Sequence, residues 1–244
     1  MLAALGAGLD VLCEKPFAAN AADARAVAAT GTDLVVMEAF HWYHPVVDQM
    51  RSVIHRLGAV RRIEAWFDVA AGRILPGDIR WNLDLGGGAT MDLGCYAIQW
   101  ARWAAGSQPR VVSATAGTMT HGVDAWLTAD LEWEGGISGT IRSSMVGIGH
   151  SARLTVFGTA GTMWVDNPLA PQHGASVTVE TESGRETIEV ERSSTYGHQL
   201  VAFRDAVREG ASFPTTAADA VANMEIVDAC YVAAGMEPRP TYPD

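Results

Sequence analysis

"VLCEKPF", residues 11–17, is the stretch that decides the fold of this sequence. A short apolar run ends in a carboxylate, an ammonium and a proline, which is the pattern of a buried strand that ends at the surface. "DLVVMEAF", residues 33–40, has the continuous apolar pattern of a parallel strand covered on both faces. Helical segments at 2–8 and 21–30 precede these two runs. The first 40 residues therefore predict the order α-β-α-β, a piece of a doubly wound sheet.

The end of the first strand is a candidate ligand site. Ligands of open α/β sheets bind beyond the carboxyl ends of the strands, and Glu14, Lys15 and Pro16 lie at this point. Lysines also end strands simply because their side chains reach water. The position of Lys15 alone therefore leaves both interpretations open.

From about residue 45 the pattern changes. Residues 62–69, "RIEAWFDV", alternate as in a strand with two different faces, and Gly135-Gly136 predicts a tight hairpin. The remaining elements are predicted as helices at about 46–57, 89–105, 196–209 and 216–234 and as strands at 110–119, 125–134, 137–146, 152–157, 162–165, 176–181 and 186–191. We expect an incomplete α/β domain at 1–44 and an α+β domain at 45–244 with a large, mainly antiparallel, open sheet.

The second candidate site is "GGGATMDLGCYAIQW", residues 86–100. Three glycines let the backbone approach another group closely. The helix that follows places Asp92, Tyr96 and Gln99 on one face, where an aspartate and a tyrosine can share or relay a proton. The alternative is an ordinary glycine-rich loop followed by an acidic residue that the helix dipole favours.

Composition limits the classes of partner. The 244 residues carry a net charge of −11, with a pI near 5.0, so a nucleic acid is not expected to bind. No apolar run approaches the ~20 residues that a membrane span needs. Three cysteines without a CxxC motif indicate a reducing compartment. We expect a cytoplasmic protein whose partner is a small molecule.

No metal site is expected. Glu38, His41 and His44 are close in sequence, but they lie across a strand-to-helix junction without the i, i+4 helical spacing of a metal-binding histidine pair. The remaining polar candidates are interpreted as ordinary surface or packing residues: Asp124, His121, His150 and His198.

The order of these motifs resembles the Gfo/Idh/MocA oxidoreductases, and in particular their glucose–fructose oxidoreductase and dihydrodiol dehydrogenase branch. "VLCEKPF" is similar to the EKP motif of that family, and "GDIRWNLDLGGGATMDLGCYAIQ", residues 77–99, to the motif of its second domain. The resemblance continues in "VMEAFHWYHP", "VFGTAGTM" and the two closing helices. Many relatives have histidine where this sequence has Tyr96.

The resemblance implies NAD or NADP as cofactor and hydride transfer to or from a carbinol carbon of a sugar, cyclitol or related diol. Tyr96 would be the general acid or base on the substrate oxygen, and Lys15 would bind the substrate and lower the pKa of the phenol. Asp92 would orient the substrate or assist the relay. Glu14 and Pro16 would lie, with Lys15, beside the nicotinamide ring.

One departure from the family pattern concerns the cofactor. In relatives the first strand and G-x-G-x-x-G turn of a Rossmann domain precede the EKP strand, whereas ten residues precede it here and that motif is absent from the 244 residues. We expect residues 1–44 to be the C-terminal part of a Rossmann domain, and this chain alone to bind neither cofactor and to be inactive. Three interpretations remain: a shortened dehydrogenase, a non-catalytic binding or dimerisation module, and a different enzyme class on the same domain.

A homodimer through the open sheet is also expected. An antiparallel sheet with helices on one side leaves its other face uncovered. Trp126 and Trp133, together with Leu127 and Leu131, are predicted to put large apolar side chains on both faces of the long strands.

Overall fold

The structure is a computed structural model that describes residues 1–120 and 122–241. The described residues form the helices α1 (Leu2–Gly6), α2 (Ala21–Ala28), α3 (Val46–Ile54), α4 (Cys95–Ala105), α5 (Thr195–Glu209) and α6 (Ala217–Ala233). They form the strands β1 (Val11–Glu14), β2 (Val36–Ala39), β3 (Val60–Ala70), β4 (Arg110–Thr120), β5 (Val123–Glu132), β6 (Ser138–Gly147), β7 (Ser151–Gly158), β8 (Gly161–Asp166), β9 (Ser176–Thr181) and β10 (Gly184–Glu189). A π-helical turn, Thr90–Gly94, leads into α4.

The first two strands form a small parallel sheet. Val11 of β1 lies opposite Val36 of β2, as the two apolar runs predict. The side chain of Asn20 caps α2 by accepting a 2.9 Å hydrogen bond from the backbone N–H of Asp23. Helix α2 packs against α6, so the carboxyl-terminal part of the chain returns to this sheet. The division of the chain at residue 44 stays a prediction.

The large sheet contains eight strands in the order β10-β9-β8-β7-β3-β6-β5-β4. Every neighbouring pair is antiparallel except β3 and β6. The predicted fold class, a doubly wound remnant followed by an α+β domain with a large and mainly antiparallel sheet, is therefore confirmed.

One face of the large sheet is the core of the domain. Side chains two residues apart on each strand point to this face, and Leu127, Ile141 and Leu154 are fully buried there. Helices α4 and α6 pack against strands β3 and β4. Burial of an aliphatic side chain of this size contributes about 1.5–3 kcal/mol, so this face holds the helices in place over the sheet.

The outer face of the large sheet combines tryptophan with charge. Trp66, Trp126 and Trp164 alternate with the buried residues of their strands. The guanidinium groups of Arg142 and Arg153 each lie 5.9 Å from the centre of the Trp66 ring, within the range of a cation–π contact. The outer face is therefore amphipathic rather than purely apolar.

The position of Trp133 differs from the prediction. It follows Leu131 by two residues, so both side chains point to the same, inner, face. Trp133 is buried, and its indole Nε1 donates a 3.0 Å hydrogen bond to the carbonyl oxygen of Ser107. Trp126 alone of the two tryptophans faces outward.

Within residues 1–120 and 122–241, none of the helices combines the length and the apolar character that a membrane crossing needs.

Candidate active site

Lys15 and Asp92 meet at the end of β1. The ammonium Nζ of Lys15 lies 2.6 Å from Oδ1 of Asp92 and donates a second hydrogen bond, of 2.7 Å, to the backbone oxygen of the same residue. The Lys15–Pro16 peptide bond is cis. Both charged side chains are largely buried, with exposed fractions of 15% and 16%. The structure thus brings together two segments that are 77 residues apart in the sequence.

Lys15 has a further distinction in the sequence. It is the single lysine among the 244 residues. The other 16 of the 17 lysine and arginine residues are arginines. An ammonium is a compact point charge that exchanges its proton more readily than a guanidinium does. A chain that uses arginine everywhere else therefore has a lysine at the one position where proton chemistry is expected.

Asp92 lies within the π-helical turn that leads into α4, and a second cation holds it there. The Nε of Arg80 donates a 2.7 Å hydrogen bond to Oδ2 of Asp92. Burial acts to raise the pKa of Asp92, but the charges of Lys15 and Arg80 outweigh burial and hold the pKa below its ordinary value. Asp92 is therefore an ionised carboxylate with a cation on each oxygen.

Tyr96 follows one helical turn after Asp92, and its ring contacts Lys15. The Nζ of Lys15 lies 5.0 Å from the centre of the Tyr96 ring, while Phe40 and Phe67 enclose the ring at centroid distances of 4.9 and 5.9 Å. The side chain is 97% buried, being 3% exposed. The predicted proximity of Lys15, Asp92 and Tyr96 is thus confirmed, whereas their roles stay a prediction.

The pKa of Tyr96 differs from the expectation. Burial of the phenol raises this pKa well above the ordinary value, and the charges near it, Asp92 and Glu14 among them, raise it further. The ammonium of Lys15 lies near the ring but is paired with Asp92 at 2.6 Å. Tyr96 is therefore a protonated phenol, which is suited to donating rather than to accepting a proton.

Two clefts meet at the Lys15–Asp92 pair. The first, the Tyr96 cleft, has a volume of about 350 Å³. It is lined by Lys15, Phe67, Val69, Arg73, Ile74, Asp78, Arg80, Asp92, Leu93, Tyr96 and Leu169. The second, the glycine cleft, has a volume of about 340 Å³ and lies between the Glu14–Pro16 segment and the loop Gly86–Gly88. Lys15, Arg80 and Asp92 line both clefts.

A buried ion pair fixes the glycine loop. Arg239 pairs with Asp124, which is fully buried, and donates a 2.6 Å hydrogen bond to the backbone oxygen of Gly87. Gly88 has φ +140°, and a Cβ at this position would collide with both ionic side chains. Of the two interpretations of Asp124, as an ordinary surface or packing residue, burial excludes the surface one, and Asp124 is a buried structural residue.

Of the three histidines that were interpreted together with Asp124, His121 lies outside the described residues. The ring of His150 lies 5.6 Å from that of Phe67. His198 is hydrogen-bonded through Nε2 to the hydroxyl of Ser193 at 2.7 Å. Neither of these two described histidines reaches the Lys15–Asp92 pair.

Gln99 lies away from the Lys15–Asp92 pair, whereas the segment of Glu38 and His41 passes beside Tyr96, with the ring of His41 at 6.5 Å from that of Tyr96. Gln99 is buried beside Arg102 and Trp103 in a separate cavity. Glu38 is buried, and burial together with the charge of Asp219 raises its pKa to about 8. Among the described residues, no three His, Cys, Asp or Glu side chains are grouped as a metal site would require.

Arg80 and Arg239 are site residues that the sequence reading did not identify. Arg80 precedes Asp92 by twelve residues, and Arg239 contacts Gly87 across 152 residues. Arg80 lies within the quoted motif at residues 77–99, and this position was the one signal in the sequence that Arg80 belongs to the site. For Arg239 no local pattern marks a contact of such long range.

Comparisons with known proteins decide the family. A family model described as the GFO/IDH/MocA C-terminal domain matches residues 47–164. The chain is 32% identical over 241 residues to D-xylose 1-dehydrogenase (NADP(+)) 2 of Haloferax volcanii, covering 95% of this chain and 73% of that protein. The chain belongs to the Gfo/Idh/MocA oxidoreductase family. It is also 33% identical over 175 residues to trans-1,2-dihydrobenzene-1,2-diol dehydrogenase of Sus scrofa, covering 69% of this chain and 51% of that protein.

Solved structures of Gfo/Idh/MocA proteins share the fold. An aldose–aldose oxidoreductase from Caulobacter crescentus, solved with glycerol, has a TM-score of 0.85 at 23% identity and covers 95% of this chain and 72% of its own. A 3-ketoreductase from Actinomadura kijaniata, solved with NADP and TDP-benzene, has a TM-score of 0.83 at 24% identity, with coverages of 95% and 73%. These structures show the fold, and the resemblance found in the sequence is confirmed.

Proposed function

We propose that this chain carries the catalytic residues of an NAD(P)-dependent dehydrogenase that transfers a hydride to or from a carbinol carbon of a sugar, cyclitol or related diol. The observation that carries the proposal is the assembly of Lys15, Asp92 and Tyr96 at the border between two clefts. The names of the relatives support it, since one is a D-xylose dehydrogenase and the other a dihydrodiol dehydrogenase.

The glycine cleft is the candidate position of the nicotinamide. Its size suits a planar ring, and Glu14, Lys15 and Pro16 form one wall while the loop Gly86–Gly88 forms the other. The bound cofactor would supply or accept the hydride. The 244 residues contain no G-x-G-x-x-G motif, so the part of the site described here fits the nicotinamide end of NAD(P) and not its pyrophosphate.

Each of the three residues has a distinct role in the proposal. The raised pKa keeps the Tyr96 phenol protonated, and Tyr96 donates this proton to the oxygen of a carbonyl substrate as that oxygen becomes an alkoxide. Lys15 stabilises the same developing charge with its ammonium. Asp92 holds Lys15 in position and accepts a hydrogen bond from a neighbouring hydroxyl of the substrate.

The role of Tyr96 is tested by removing its hydroxyl. In the protein that combines this chain with a dinucleotide-binding half, Tyr96→Phe is expected to lower kcat about 100-fold while the Kd for NADP stays unchanged. Tyr43→Phe is the matched control, since the Tyr43 hydroxyl bonds Thr215 outside both clefts. Equal turnover of the two variants would remove Tyr96 from the mechanism.

A homodimer through the outer face of the large sheet is part of the proposed function. Trp66, Trp126 and Trp164 are larger apolar groups than a solvated sheet face normally presents. The arginines between them are the residue type that is enriched in interfaces. An isologous contact would bury this face against its own copy.

A further inference from the structure

The charges in the Tyr96 cleft form an alternating chain. Lys15 pairs with Asp92 at 2.6 Å, Asp92 with Arg80 at 2.7 Å, and Arg80 with Asp78 at 3.2 Å. Two cations and two carboxylates thus neutralise one another along the floor of the cleft. A neutral polyol finds hydrogen-bond donors and acceptors here but no net charge.

Arg73 is a fifth charged residue of the same cleft, and it stands outside this chain. It lies in the loop after β3, where Gly72 has φ +82° and the backbone N–H of Arg73 donates a 3.1 Å hydrogen bond to the oxygen of Ala70. Its side chain lines the cleft, and within residues 1–120 and 122–241 it forms no ion pair. Arg73 therefore gives the cleft an uncompensated positive charge.

The surroundings make this charge selective. The protein as a whole carries a charge of −11 and repels anions at long range. The walls of the cleft near Arg73 are apolar and consist of Val69, Ile74 and Leu169. Arg73 itself is exposed, so salt screens its attraction for an anion, while the apolar walls beside it offer an anion no competing charge. A planar guanidinium binds a carboxylate or a phosphate through two parallel hydrogen bonds.

We propose that the substrate of the Tyr96 cleft carries an anionic group, a phosphate or a carboxylate, which Arg73 binds while the carbinol carbon lies at Tyr96. This inference rests on the proposed function, because it names the substrate class of the same site. It separates sugar phosphates and sugar acids from neutral sugars and diols. The opposing possibility is that Arg73 is a solvated surface arginine without a ligand, and this is an outcome of the test.

The test compares three probes that share a polyol and differ in charge. D-Glucose, D-gluconate and D-glucose 6-phosphate are titrated into the 244-residue chain by calorimetry at low ionic strength. The wild-type chain is expected to bind one or both charged probes about tenfold more tightly than glucose, a factor that corresponds to roughly 1.4 kcal/mol. The gluconate and phosphate arms distinguish the two sources of the anion, and the preference is expected to weaken with added salt.

Two variants test whether Arg73 causes the preference for charged over neutral probes. In Arg73→Gln the ratio of charged to neutral affinity is expected to fall close to one. Arg208→Gln is the matched control because it removes the same charge from an exposed position of α5, and it is expected to keep the tenfold ratio. A wild-type ratio near one, or an unchanged ratio in Arg73→Gln, overturns the inference and leaves the dehydrogenase proposal standing. Absence of binding by all three probes at millimolar concentration overturns the assignment of the cleft to sugars and the inference with it.

Discussion

The buried pair of Asp124 and Arg239 is expected to control the stability of the whole site. Asp124 accepts hydrogen bonds from the backbone N–H and hydroxyl of Thr90, both at 2.7 Å, and from the hydroxyl of Tyr231 at 2.9 Å, in addition to its pair with Arg239. Asp124→Ala removes the acceptor of all four bonds. The Arg239 guanidinium then remains buried without its counterion, and loss of one partner of such a pair costs about 3–5 kcal/mol.

The other contacts of Arg239, Thr90 and Tyr231 narrow the range of the expected loss of stability. Arg239 keeps its hydrogen bonds to the backbone oxygens of Gly87 and Gly122, at 2.6 and 3.0 Å, which lessens the cost of its unpaired charge. The donors of Thr90 and Tyr231 lose their partner, at about 1 kcal/mol or more each. We expect a loss of about 4 kcal/mol, which for a chain of this size lowers Tm by roughly 8–16 °C.

The measurement is urea unfolding followed by tryptophan fluorescence. The exposed pair of Asp48 and Arg51 supplies the control, because Asp48→Ala is expected to cost less than about 1 kcal/mol. The double variant Asp124→Ala with Arg239→Met removes both charges and is expected to recover part of the loss. If Asp124→Ala costs no more than Asp48→Ala, the pair does not hold the glycine loop and the reasoning is refuted.

Four further predictions follow from the fold and the site. Burial raises the pKa of Glu38 to about 8, so the folded protein holds a proton that the unfolded carboxyl releases near ~4.3. As pH rises between these values, the wild type should lose stability relative to Glu38→Gln. A stability difference between the two proteins that does not change with pH in urea unfolding would contradict this. Burial acts to raise the pKa of Asp92, while the charges of Lys15 and Arg80 hold it low. Lys15→Met should therefore move the titration of the Asp92 carboxyl to higher pH, whereas Lys15→Arg should leave it low. Carboxyl NMR follows this titration. Trp126→Asp should turn a sedimenting dimer into a monomer, and a wild-type monomer at micromolar concentration would remove the proposed interface. Calorimetry should find no micromolar binding of NAD or NADP by the 244-residue chain, and tight binding would place the pyrophosphate contacts within it.

Local patterns in the sequence predicted most of the fold. The alternation in β3 and the continuous apolar run of β2 report burial directly, because successive side chains of a strand point to opposite faces. The apolar run of β1 is only partly buried. The prediction that placed Trp133 and Leu131 on opposite faces was wrong, because residues two apart on a strand share a face. The helix from about residue 89 was predicted at the right position, but its π-helical first turn was not. The sequence does not specify whether a backbone N–H bonds the carbonyl four or five residues before it.

The site was predictable only where a motif carries it. Lys15, Asp92 and Tyr96 stand in quoted motifs, and the structure brings them together. Arg239 and Asp124 are 115 residues apart, and nothing in either neighbourhood signals the other. The raised pKa of Tyr96 follows mainly from burial of its phenol, and spacing along the chain does not define how deeply a side chain is buried.

The contact between Arg239 and Gly87 also sets the order in which the protein can mature. During synthesis the glycine loop leaves the ribosome about 150 residues ahead of the arginine that clamps it. Until that arginine emerges, Asp124 lacks the counterion that it has in the folded protein. Contacts of such high sequence separation form slowly. We therefore expect the glycine loop, and with it the ability to hold a ligand, to reach its final shape late in folding.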